Sequence, residues 1–170
     1  MPYPSNPIET LYYTMNYVHS SIRRGLENII KHLEESKDAI HDDLPTFVNY
    51  CLAWSHHLTM HHKLEEDFLF PVLNRTMNFS EEKDAHDVVH NKLDDLEAML
   101  HELEIDPKKF NPDRIREQLL ALKEPLFDHL DAEVEHLKPE ELKKAGVNAS
   151  ELGHAWQRME EAIRASMHAS

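Results

Sequence analysis

Apolar side chains follow His19 at +3, +7, +10 and +14 (Ile22, Leu26, Ile29 and Leu33), and the same four offsets follow His86 (Val89, Leu93, Leu96 and Leu100). Steps of three and four place each set on one face of an α-helix. A striped helix has to bury its stripe against other helices, so the repeat restricts the chain to packed helices. The likeness extends further, because His61 stands 42 positions after His19 and His129 stands 43 after His86. The two halves read as a duplicated helical hairpin. No strand-like alternation competes with this pattern, and the sequence has only three Gly. The expectation is an all-α fold: an up-down-up-down four-helix bundle with a short fifth C-terminal helix.

Punctuation residues set the expected boundaries. The first helix runs from about Pro7 to Lys37. The second begins near Leu44 and Pro45, carries a stripe of Phe47, Tyr50, Trp54, His57, His61, Glu65 and Phe68, and stops near Pro71 unless it kinks. The third has Ser80 as its cap and ends before Asp106 and Pro107. The fourth opens with Asn111 and Pro112, carries Ile115, Leu119, Leu122, Leu126, His129 and Glu133, and stops near Pro139, with a local kink at Pro125. The fifth runs from Ser150 to about Met167 and docks through Leu152, Trp156, Met159 and Ile163. Its length of 170 residues fits a single domain, with the bundle over about 7–139 and the C-terminal helix over about 150–168.

A formal net charge of −14 argues against nucleic acid or an anionic membrane as a partner. Cys51 is the only cysteine, which excludes an internal disulfide and suits a reducing compartment. The N-terminal residues lack the basic region and apolar run of a secretory signal, and no stretch is long and apolar enough to span a bilayer. A cytoplasmic location is the expectation. Cys51 itself reads as a small buried hydrophobe.

The chemistry lies in two segments that copy each other. His61 precedes Glu65 by four positions and Pro71 by ten; His129 precedes Glu133 and Pro139 by the same distances. Residues four apart share a helix face, so each copy presents an imidazole beside a carboxylate, a donor set that suits transition metals such as iron. A lone His on an apolar stripe is usually a hydrogen-bonded core residue. Six matched residues (His19, His61, Glu65, His86, His129 and Glu133) are harder to explain that way, because burying them without a cation incurs a large desolvation cost. His90, one turn after His86, is an asymmetric addition, since the matching position in the first half is Arg23. His57, His62 and Glu66 are further candidates, as ligands or as neighbours that orient them. A one-residue change of register would exchange the His61–Glu65 pair for His62–Glu66. His136 reads as an orienting or exposed residue.

With these residues in place, the sequence resembles the hemerythrins, in their HHE cation-binding branch. The resemblance covers His19 to Pro139 and rests on the HHxxEExxxFP segment at His61–Pro71, the His86/His90 pair and His129–Glu133. It implies two non-haem irons inside a four-helix bundle. It also implies His19, His61, His86, His90 and His129 as terminal ligands and Glu65 and Glu133 as bridges. With an oxo or hydroxo bridge, this set leaves one position open on two six-coordinate metals, free for O2, peroxide or nitric oxide. Coordination by His57 would close it. The oxygen-carrying hemerythrins place an Asp five positions after the last His, whereas Glu133 follows His129 by four, which changes the bridge geometry.

The functional expectation is therefore a diiron protein that binds O2 or a related small ligand, in oxygen or iron handling or sensing. The alternative is a diiron oxidase, monooxygenase or peroxidase-like enzyme. A ferritin-like bundle with paired Glu-x-x-His motifs fits Glu133–His136, but Phe68 stands where the second motif needs its His. The aromatics of the second helix read as core, with the Tyr50 and Trp54 end as the alternative wall of a small-molecule channel.

Overall fold

The computed structural model describes residues 6–168, and these are helical nearly throughout, with no strand among them. The N-terminal signal reading rests largely on residues 1–5, which lie outside the described residues. Helix α1 spans Pro7–Glu35 and is capped by Asn6, whose side chain accepts from the Ile8 N–H at 2.9 Å. The chain breaks at Ser36 and makes a short α2, Lys37–Asp42. Helix α3 spans Leu44–Leu64 and passes through a π turn at Glu65–Leu69 into α4, Phe70–Leu73. Helix α5 covers Ser80–Ile105, and a 3-10 turn at Pro107–Lys109 leads to α6, Pro112–His136. A short α7, Pro139–Lys144, precedes α8, Ala149–His168.

Several boundaries differ from expectation for identifiable reasons. The second helix continues past Pro71 because the π turn precedes it: Phe70 N–H reaches back five residues to the Glu65 carbonyl, and Pro71 opens the next α-helical turn. Ser80 is the first helical residue and not the cap; the Asn78 side chain accepts from Ser80 N–H, and Asn74 from Phe79 N–H. The fifth helix is likewise capped by Asn148, which accepts from the Ser150 and Glu151 N–H groups. Asn111 caps α6 as its sequence position indicates, and α6 runs unbroken through Pro125. Between α7 and α8 the chain turns at Gly146, with φ at 75°, a left-handed conformation that favours glycine. Val147 N–H then bonds the Leu142 carbonyl, and both side chains are buried.

The long helices pack as a ring of neighbours: α1 against α3 and α6, α5 against α3 and α6. Their stripes form two apolar cores. One extends from Ile22, Leu58, Val89 and Leu130 to Leu33, Leu44 and Leu100. The other joins Leu11, Met15, Leu69, Phe70, Phe79 and Leu137 to Leu142, Leu152 and Met159 of α7 and α8. Buried His and Glu residues lie where the two cores meet, as His19 does between Met15 and Ile22 and His86 between Phe79 and Val89. Of the fifth helix's stripe, Leu152 and Met159 are buried, Trp156 is half-buried and Ile163 is exposed. Ion pairs such as Arg23–Asp131 (2.6 Å) and Arg116–Glu34 (2.7 Å) tie α1 to α6 outside the core. Exposed pairs contribute about 0–1 kcal/mol each, so the apolar cores carry the fold.

In the larger core α1 lies tight against α3 at Gly25, where an added Cβ would lie 2.4 Å from Trp54 Cδ1. The buried indole cannot easily yield, because its Nε1 donates to the Ile22 carbonyl at 3.0 Å. Gly25→Ala is expected to destabilise the protein by about 1–3 kcal/mol through overpacking. Chemical denaturation followed by circular dichroism checks this, and an unchanged or raised midpoint contradicts it.

Candidate metal centre

Seven buried side chains from α1, α3, the π turn, α5 and α6 converge between the two cores. They form two groups, within each of which potential ligand atoms lie within 4.8 Å of one another: His19, His61, Glu65 and Glu133 in one, His62, His86 and His129 in the other. In the first group His19 Nε2 is 3.1 Å from His61 Nε2 and 3.3 Å from Glu133 Oε2, and His61 Nε2 is 3.0 Å from Glu65 Oε1. In the second, the His62 and His86 rings stack at 3.8 Å, and both stand edge-on to His129.

The carboxylates lie between the groups. Glu65 turns Oε1 toward His61 and Oε2 toward His86, at 3.5 Å. Glu133 Oε2, beside His19, is also 3.9 Å from His129 Nε2. No oxygen of either carboxylate accepts a hydrogen bond, and neither do Nε2 of His62, His86 and His129 have a partner. Buried polar atoms are nearly always paired, so this many unpaired atoms within the two groups fits cation ligation.

The outward ring nitrogens support this. His19 Nδ1 donates to the Leu130 carbonyl at 3.1 Å, and His86 Nδ1 donates to Glu66 Oε1 at 2.9 Å. His62 Nδ1 lies 3.2 Å from His90 Nε2 and is placed to donate to it. In all three, a proton on Nδ1 leaves a lone pair on the inward Nε2, the tautomer that a metal ligand requires. Glu66 is itself 3.3 Å from Lys83 Nζ.

Set against the sequence reading, His19, His61, Glu65, His86, His129 and Glu133 come together. His90 stands outside both groups, behind His62. His57 is exposed at the rim of a neighbouring cavity, and Glu66 faces His86 from outside. The difference arises on α3, whose inward face is Cys51, Ser55, Leu58, His62, Glu65 and Leu69. Of the expected stripe, Phe47, Trp54, His61 and Glu65 are buried, whereas Tyr50 and His57 are exposed and Phe68 is half-buried. α3 is apolar on more than one side, which hides its phase. Glu82 went unnoticed; it is buried one turn before His86, pairs with His136 and leaves Oε2 unpartnered. Its place on the buried side of α5 was the available signal.

The Hemerythrin family model, described as the hemerythrin HHE cation-binding domain, matches residues 10–140. The chain belongs to this family. No curated protein and no solved structure matches it. Cation binding is the shared property of the family, and in this hemerythrin chain the buried His and Glu cluster is where a cation fits. Helix α8 lies beyond the matched segment. Among the described residues, no helix is long and apolar enough to cross a membrane.

Burial governs the protonation of the metal-free site. It lowers His61 and His129 to about 4 and His86 to about 3, lowers His62 as well, and raises Glu65 to about 8. A His with a depressed folded pKa is protonated more readily when unfolded, so each of the four favours unfolding as pH falls below about 6.5. Glu65 acts oppositely: its stabilising proton is fully retained below its unfolded pKa and is lost as pH rises through about 8. Four groups outweigh one on the acid side. Stability of the metal-free protein is therefore expected to fall between pH 6.5 and 4, and to decline more gently from pH 6.5 to 8. Denaturation midpoints across that range check both limbs; a stability that rises toward pH 4 contradicts the assignment.

Proposed function

We propose that the seven groups hold two transition-metal ions, iron foremost, bridged by Glu65 and Glu133, and that the pair binds O2 or a related ligand such as peroxide or nitric oxide. The orphaned carboxylates carry this reading, since each reaches toward His rings of both groups and has no other partner. His19 and His61 serve one metal and His62, His86 and His129 the other. His62 thereby takes the place that the resemblance gives to His90, and the count of five His is unchanged. His90 and Glu66 orient His62 and His86. The four long helices run up-down-up-down around the pair in a single domain.

Imidazole together with carboxylate suits iron, and O2 chemistry is what an iron pair supplies. Two imidazoles on one metal against three on the other leave the open position on the His19–His61 side, given a shared oxo or hydroxo bridge. His61 and Glu65 border a cavity there. That cavity favours, as a second reading, an oxidase, monooxygenase or peroxidase-like enzyme. A reversible absorption change when O2 meets the reduced, iron-loaded protein supports binding. Sustained consumption of O2 with reductant, or of peroxide, above that of free iron supports the enzyme.

Metal analysis separates the two ligand sets. Two irons per chain are expected in the native protein, about one in His62→Ala, and two in His90→Ala with affinity weakened about 10–100-fold, as for loss of an orienting neighbour. Full occupancy in His62→Ala sinks the assignment. Because Glu65 holds a proton at pH 7 when metal-free, iron uptake in weak buffer should also release about one proton from it. Indicator-dye titration reads that release, and uptake without it contradicts a bridging Glu65.

A further inference from the structure

A cavity of about 790 Å³ lies between α1, α3 and α8, with His61 and Glu65 at one end. Its size falls in the range of small-molecule sites, far beyond what a diatomic ligand needs. Met15, Met60 and Met159 contribute thioethers, and Trp156 contributes an indole. The indole is held in place by its Nε1, which donates to Glu160 Oε1 at 3.0 Å. Thioether sulfur makes favourable contacts with aromatic rings and adapts to their outline. The charges are one-sided: Glu65 and Glu160 are among the described lining residues, and no Lys or Arg is. An anion would find no Lys or Arg among these residues to pair with, only the imidazoles of His56, His57 and His61. The outer wall, Trp156, Met159 and Ile163, comes from α8, outside the segment that matches the family.

We propose that this cavity is a binding site for a neutral aromatic molecule of one or two rings, seated among Met15, Met60, Met159 and Trp156. The walls are side chains of the chain itself, so the site stands independently of the metals. Helix α8 selects the ligand, because it provides the indole and one of the three thioethers.

The test is titration of the full-length, metal-free protein, labelled with 13C at the methionine methyls, with 2-naphthol as probe. Saturable shifts are expected at Met15, Met60 and Met159, with Met77 and Met99 unmoved. Met60→Trp, at a half-buried position, should fill the cavity and weaken binding at least ten-fold, as should Val18→Phe if Met60→Trp does not fold. Met99→Trp should leave the affinity unchanged. The anion 2-naphthoate should bind at least ten-fold more weakly than 2-naphthol. The proposal is overturned by shifts that do not saturate or that spread over all the methionines, by full affinity in the filled variant, or by equal affinity for the anion. 1-Octanol binding more tightly than 2-naphthol would overturn the aromatic assignment in favour of an aliphatic ligand. Iron content is measured separately, so failure to bind metal leaves a positive titration standing, and the reverse.

Discussion

Glu65 and Glu133, at 1% and 0% exposure, lie among five buried imidazoles with no hydrogen bond to any of their four oxygens. Even after relaxation, an unpaired buried charge costs several kcal/mol, against a total stability of about 5–15 kcal/mol for a domain. Two such carboxylates cannot both remain ionised and uncompensated. Either protons or cations must neutralise them, and the elevated Glu65 pKa is the proton solution. Five imidazoles beside them, three with the outward nitrogen placed to donate and the inward one left with its lone pair, make the cation solution the better one. The surrounding structure follows this constraint. Each long helix gives up apolar burial at one level, and apolar cores lie on either side of that level.

Orientation of the rings depends on contacts just outside the centre. Leu130 fixes His19 through a backbone carbonyl, Glu66 fixes His86, and His90 fixes His62. A carbonyl acceptor and a carboxylate acceptor differ in effect: the carboxylate makes the imidazole a stronger donor to a metal. The two halves of the centre are thus tuned unequally, although the sequence halves are alike. Asymmetry also appears at Arg23, the counterpart of His90, which turns outward over Phe127 and bonds Asp131.

Where the sequence was legible, its periodicity was strong. The stripes of α1, α5 and α6 were read correctly because each has one apolar face and a polar remainder: Ile22, Val89 and Leu119 are all fully buried. The duplicated His-x-x-x-Glu pairs, together with the matched stripes that begin at His19 and His86, brought six of the seven converging residues into view. The phase of α3 was obscure because residues on several of its faces are apolar, and Trp54 and Leu58 pack into the same core from different angles. The expected stripe therefore joined the exposed His57, which lines the cavity, to the buried His61 and Glu65, and set His62 beside it as a further candidate. His90 misled for another reason: spacing reports a shared face, but it cannot separate a ring that reaches the centre from one that stands behind it. The α3 aromatics proved to be core or surface, and the aromatic wall of the cavity is Trp156, on a helix that sequence periodicity marked only as a docking element.

The π turn after Leu64 has a consequence for how the two cores are joined. One extra residue in a turn advances the helix by about 100° relative to an unbroken α-helix. Residues before it are phased to place Leu58 and His62 inward, and residues after it place Leu69, Phe70 and Leu73 inward. The bulge works as a phase coupler between two helices of different pitch alignment, and Glu65 is its first residue. The level of the buried His and Glu residues therefore coincides with the place on this helix where the backbone register changes.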